Sequence, residues 1–169
     1  MTKTIPSQET DLGHPGLADG RQSDRALAIA RGVRRHLQLL GFQSLTELSL
    51  PNGRRADIAA VSDGGEIWII EIKSSVEDFR ADNKWPEYQE FADKFFFAVD
   101  ADFPIEVLPK HTGLMIADRF GGDTVRPAEK HPLAAARRKA LTLRIARAAC
   151  QRLHNLADPE AANEALTQI

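Results

Sequence analysis

With 169 residues, 43% of them hydrophobic and 27% charged, the chain suits one compact globular domain with appended ends. Its single cysteine, Cys150, excludes an internal disulfide and a Cys-x-x-Cys zinc arrangement, so a reducing, cytoplasmic setting is expected. No run reaches the roughly 20 apolar residues of a membrane span, and a formal net charge of −2 does not by itself announce a nucleic-acid binder.

Residues 1–22 carry almost no large apolar side chains and predict a flexible tail without the apolar stretch of a signal peptide. A core is expected over 23–128. It opens with Ser23 or Asp24 capping a helix whose Ala26, Ile29, Ala30, Val33, Leu37 and Leu40 recur at helical spacing, with Gly41 as its stop. Three strand-like runs follow, near 43–50, 55–61 and 66–73. The short turns Pro51-Asn52-Gly53 and Asp63-Gly64-Gly65 separate them, which predicts an antiparallel meander. The third run is apolar on both faces, as a central strand is.

After Ser74-Ser75 the chain turns polar. Pro86 is placed to begin a second helix carrying Tyr88, Phe91 and Ala92. Phe95 to Val99 and Gly113 to Ala117 read as buried strands, and Gly121-Gly122-Asp123 as a turn to a hairpin partner near Val125. Residues 129–169 predict a helical extension packed on the core, its main helix at about 132–156 using Leu133, Leu141, Ile145, Ala148 and Leu153; Cys150 is expected in the core. The order of elements predicts a mixed α/β (α+β) domain with a mixed sheet, not a doubly wound parallel one.

Charge is unevenly distributed. Residues 132–154 hold Arg137, Arg138, Lys139, Arg144, Arg147 and Arg152 with no acid, whereas 77–106 lean acidic. Solvated surface is the plain reading of any one of these charges.

The chemistry is expected where Asp57 meets Glu71-Ile72-Lys73. Residues i and i+2 of a strand share a face, so Glu71 and Lys73 point the same way, and the turn between strands returns Asp57 beside them. Two close carboxylates repel, and a hard divalent cation such as Mg²⁺ or Mn²⁺ removes that conflict. The alternative is a buried Glu71–Lys73 ion pair with a structural role.

Arg55-Ala56-Asp57, a turn, and Ile69-Ile70-Glu71-Ile72-Lys73 resemble the signature of PD-(D/E)XK nucleases, whose restriction-endonuclease-like core has a similar element order. The segments Asp78-Phe79-Arg80-Ala81-Asp82, Lys84-Trp85-Pro86-Glu87-Tyr88 and Gly113 to Asp118 are similar to the MmcB-like family of proposed bacterial DNA-repair proteins. The resemblance covers roughly residues 24–118. It implies Asp57 and Glu71 as magnesium ligands and Lys73 as the group assisting the attacking water; the chemistry of the strand end offers the Ile72 carbonyl as an additional metal ligand. Ala56 stands where the strict signature has proline. Many relatives carry an acid on the first helix, and Ile29 to Leu40 has none; Glu47 is the candidate replacement and reads equally as a surface strand residue.

The implied activity is hydrolysis of DNA phosphodiester bonds in repair. The competing reading is a catalytically silent nuclease fold that binds DNA, single- or double-stranded, or other repair proteins; RNA processing ranks last. Arg34, Arg35 and Arg55 (with Arg54), together with Lys84, Gln89, Arg137 and Arg138, are candidate nucleic-acid contacts. Trp85 is a candidate base stacker or an anchor to the core.

Overall fold

A computed structural model of the protein describes residues 23–160, so the expected tail over 1–22 and the last residues after 160 lie outside the described residues. The first helix, α1, spans Asp24–Leu39, and the Ser23 hydroxyl caps it by accepting the Ala26 N–H at 3.2 Å. Gly41, at φ +81°, takes the left-handed conformation that lets the chain leave the helix. Ala26, Ile29, Ala30, Val33 and Leu37 form the buried stripe, but Leu40 falls past the last turn and is exposed.

Six strands then build one mixed sheet in the order β1 (Phe42–Ser49), β2 (Arg55–Ser62), β3 (Ile67–Ile72), β4 (Lys94–Val99), β5 (Gly113–Ala117) and β6 (Gly122–Arg126). The expected meander is present as β1–β2–β3, antiparallel throughout. Strands β4 and β5 add in parallel, and β6 returns antiparallel to close the far edge. Every residue of β3 is buried, as befits a strand covered on both faces.

The two faces have separate cores. Ile58, Ile70, Ile72, Phe96 and Met115 pack under α1. Ala59, Ile69, Phe95, Phe97, Leu141 and Ile145 form the other face, where the C-terminal helix α3 (Ala135–Ala157) lies. Gly32 of α1 faces the β5–β6 connection at van der Waals limit. A Cβ there would stand 2.0 Å from the Asp118 carbonyl oxygen and 2.3 Å from that of Gly121. Backbone on both sides cannot yield as a side chain does, so Gly32→Ala is expected to lower stability by about 1–3 kcal/mol or more. An unchanged midpoint in urea would show that α1 rides higher on the sheet.

Three expectations are corrected. The segment after Ser75 forms a short helix, α2 (Val76–Ala81), started by the Ser75 hydroxyl accepting the Asp78 N–H at 3.1 Å. The α-helix expected from Pro86 is a 3-10 segment, Trp85–Phe91. Cys150 and Leu153 are exposed, the latter by 68%, because the apolar contact of α3 with the body runs along Leu141, Ile145 and Ala148, away from both.

Candidate functional site

Strands β2 and β3 pair from Val61↔Ile67 to Ile58↔Ile70. One step further Asp57 stands opposite Glu71, and there side chains continue the ladder in place of peptides. The Ile72 N–H donates to Asp57 Oδ2 at 2.8 Å, and the Asp57 N–H donates to Glu71 Oε1 at 3.2 Å. Each carboxylate is thus pinned through one oxygen. Asp57 Oδ1 and Glu71 Oε2 make no hydrogen bond among the described residues.

Alternation along β3 sets the face. Ile70 and Ile72 pack under α1, so Glu71 and Lys73 project to the side of α2, the 3-10 segment and α3. Lys73 is only 4% exposed, and its ammonium donates to Asp82 Oδ2 at 2.6 Å. Asp82 ends α2 and also accepts the Lys84 N–H at 3.0 Å. Tyr88 comes from the 3-10 segment, its hydroxyl donating to the Arg55 carbonyl at 3.2 Å. That segment is held in place by Trp85, stacked on Phe95 at 5.8 Å and edge-on to Phe97 at 5.5 Å. Trp85 is therefore an anchor to the core.

Electrostatics mark the same spot. Removal from water raises the Asp57 carboxyl to about 6, against the Ile72 N–H and the Lys73 charge, which favour ionisation. Burial, then the neighbouring Asp57, push Glu71 well above the usual carboxylate range. Burial works against the Lys73 charge, but the hydrogen bond and charge of Asp82 outweigh it and raise the ammonium above its ordinary value. Lys73 is consequently a held cation. Burial, and then the carboxylates of Glu71, Asp82 and Asp57, raise the Tyr88 phenol as well, so it stays protonated.

The remaining candidates scatter. Glu47 sits on β1 in the left-handed region, at φ +49°, and faces Arg55 at 3.5 Å. Among the described residues no group of three or more His, Cys, Asp and Glu side chains gathers closely enough to hold a metal, so Glu47 does not join Asp57 and Glu71 in a three-acid cluster. Arg54 forms a fork with Glu87, at 3.0 and 2.8 Å. Lys84 is exposed beside Asp82, while Gln89 is half-buried with no side-chain hydrogen bond among the described residues. Arg34 and Arg35 lie on α1, across the sheet from the carboxylates; Arg35 donates to the carbonyls of Arg119 and Phe120 at 3.3 and 2.9 Å.

Arg138, expected as a nucleic-acid contact, is engaged within the fold. It grips Asp93 with two bonds of 2.5 and 2.7 Å and reaches the Gly65 carbonyl at 2.7 Å. Arg137 donates to the Glu90 carbonyl at 2.9 Å.

Two partners of the site went unseen in the sequence. Asp82 had one available signal: a lysine buried at the end of a central strand requires a counter-charge within reach. Arg152 of α3 donates to the carbonyls of Thr46 at 2.6 Å and Glu47 at 3.0 Å, the groups around the left-handed residue of β1. Nothing in residue spacing announces that pairing, which spans more than a hundred positions.

Fold and site together define a mixed-sheet α/β domain with two pinned carboxylates and a buried lysine at the ends of two central strands. The family model of MmcB-like DNA repair proteins matches residues 13–160, so the chain belongs to the MmcB-like family. That membership points to a role in DNA repair. Among solved structures, the chain is similar to SPO1766, a protein of unknown function from Silicibacter pomeroyi, at 46% identity and a TM-score of 0.79; the match covers 82% of this chain and 95% of that one. No curated protein matches the sequence. Among the described residues no helix is long and apolar enough to cross a membrane.

Proposed function

We propose that the protein is a metal-dependent DNA nuclease of the PD-(D/E)XK type acting in repair, with Asp57, Glu71 and Lys73 as its active residues. The observation that carries this reading is the carboxylate pair, pinned by one oxygen each and leaving Asp57 Oδ1 and Glu71 Oε2 free. Two shielded acids that resist ionising together suit a divalent cation. Magnesium, which commonly retains several waters, needs only one or two protein carboxylates. Asp57 and Glu71 would hold it, with the Ile72 carbonyl as a further oxygen donor. When bound, such an ion neutralises phosphate charge and acidifies a water.

The chain's own groups have separable roles. The Ile72 and Asp57 N–H groups fix the orientation of the two carboxylates, so no reorganisation is needed when a substrate arrives. Lys73, kept protonated by Asp82, supplies a fixed positive charge for the oxygen charge that develops at phosphorus. It is suited to that electrostatic role and to orienting water rather than to accepting a proton. Asp82 acts as a positioning residue for Lys73.

The test is cleavage of single- and double-stranded DNA in magnesium or manganese. Asp57→Ala and Glu71→Ala are each expected to abolish cleavage while retaining a cooperative unfolding transition. Retained cleavage in both variants would remove the mechanism. A binding-only role is the second reading, favoured by the lack of a third acid beside Asp57 and Glu71 among the described residues; it predicts DNA binding by wild type with no cleavage in either metal.

A further inference from the structure

We propose that the groove between α3 and β1 holds one phosphodiester strand of DNA and leads it towards Asp57 and Glu71; the inference rests on the nucleic-acid reading above. The groove encloses about 660 Å³, with Glu47 and Ser49 on one wall and Arg144, Arg147, Gln151 and Arg152 on the other. Positions 144, 147 and 151 recur at three and four residues, so they align along one face of α3. From Arg144 to Arg152 the helix rises by ~12 Å, enough for successive phosphates.

The charges are arranged for an anionic chain. Arg144 donates to the Ser49 carbonyl at 3.1 Å, and Arg152 to those of Thr46 and Glu47, which fixes two guanidinium groups along the groove. Each arginine has five N–H donors, so capacity for phosphate remains. Arg147 is exposed and has no partner among the described residues. No acid lies between residues 132 and 157, and the one carboxylate of the groove, Glu47, already faces Arg55 at 3.5 Å. Glu47 also gives the groove its direction. It falls between the paired positions Thr46↔Ile58 and Leu48↔Ala56, which places it across from Asp57. A strand lying along α3 therefore passes the edge of the sheet next to the carboxylates.

This surface differs from the arginines first expected to touch DNA. Arg138 is tied to Asp93, and Arg35 is tied to backbone on the opposite face.

The test is binding of a fluorescent single-stranded oligodeoxynucleotide, and of its duplex, followed by anisotropy in EDTA across a salt series. Arg147→Gln should weaken single-strand binding several-fold and flatten the slope of log affinity against log salt by ~0.7, the loss of one phosphate contact. Arg31→Gln, an exposed position on α1, should change neither. Equal effects of the two substitutions, an Arg147→Gln variant that matches wild type, or a wild-type protein that binds no DNA would each overturn the groove. The nuclease reading fails separately: groove-dependent binding by a wild-type protein that cuts no DNA leaves this inference standing and removes that one.

Discussion

Asp57→Asn and Glu71→Gln are expected to make the protein more stable at neutral pH while removing the activity that the carboxylates serve. Both amides can accept the backbone N–H that the carboxylate now accepts, so the splayed end of β2 and β3 keeps its geometry. What changes is the charge. Asp57 titrates near 6 in the fold, against an ordinary value of 3.8, because its charged form is poorly hydrated there. A proton is therefore held more tightly by the folded chain than by the unfolded one. Stability is fully present below about 3.8 and falls as pH rises to about 6, leaving a deficit at neutrality. A rise of that size corresponds to ~3 kcal/mol as an upper figure, and a gain of about 1–3 kcal/mol is expected for Asp57→Asn at pH 7. Glu71→Gln should act in the same direction, over a window extending upward from the ordinary carboxylate range. Denaturant melts across the pH series check this: each variant should show a shallower decline than wild type, because the other buried carboxyl still contributes. Wild-type and variant curves that coincide would mean that the pair is well solvated. Added magnesium or manganese should stabilise wild type at pH 7 and leave Asp57→Asn unmoved.

Asp93→Ala is expected to destabilise the protein by ~3–5 kcal/mol, since it strands a guanidinium and two backbone donors beneath α3. Asp93 is fully buried and accepts the N–H groups of Ile67 at 2.8 Å and Leu133 at 3.0 Å besides its two bonds from Arg138. Burial opposes its ionisation, but Arg138 and those N–H groups hold the carboxyl down at about 2. The sign is opposite to that of Asp57. Here stability is present above the ordinary value of 3.8 and lost as pH falls through about 2. Asp93→Asn should keep some of the hydrogen bonds but abolish this acid-side loss. Acid melts of wild type and Asp93→Asn that run parallel between these values would refute the assignment.

Much of the fold was legible because its strands are bounded by turn residues and dense in apolar side chains. Gly113 to Ala117 matches a strand residue for residue, and β2 and β3 differ from expectation at their ends alone. The helix α2 was missed because none of its residues is buried, so it leaves no periodic stripe; the Ser75–Asp78 cap was its only trace. The parallel placement of β4 and β5 follows from packing on both faces of the sheet, which residue order does not encode locally. At the candidate site, strand alternation brings Asp57, Glu71 and Lys73 to one face as expected. The counter-charge Asp82 and the clamp Arg152 depend on where α2 and α3 come to rest, which is a tertiary outcome.

The arginines of α3 also bear on how the molecule avoids its own kind. Strand β1 is an edge of the sheet, and an edge with open carbonyls is a template for adding a strand from another molecule. Arg144 and Arg152 occupy the carbonyls of Ser49, Thr46 and Glu47, and left-handed Glu47 interrupts the extended backbone a visiting strand would need. The C-terminal helix is thereby a guard against aggregation as well as a wall of the groove. A chain shortened before α3 would uncover the apolar face on which Leu141 and Ile145 pack, together with the β1 edge, turning a guarded border into an adhesive one.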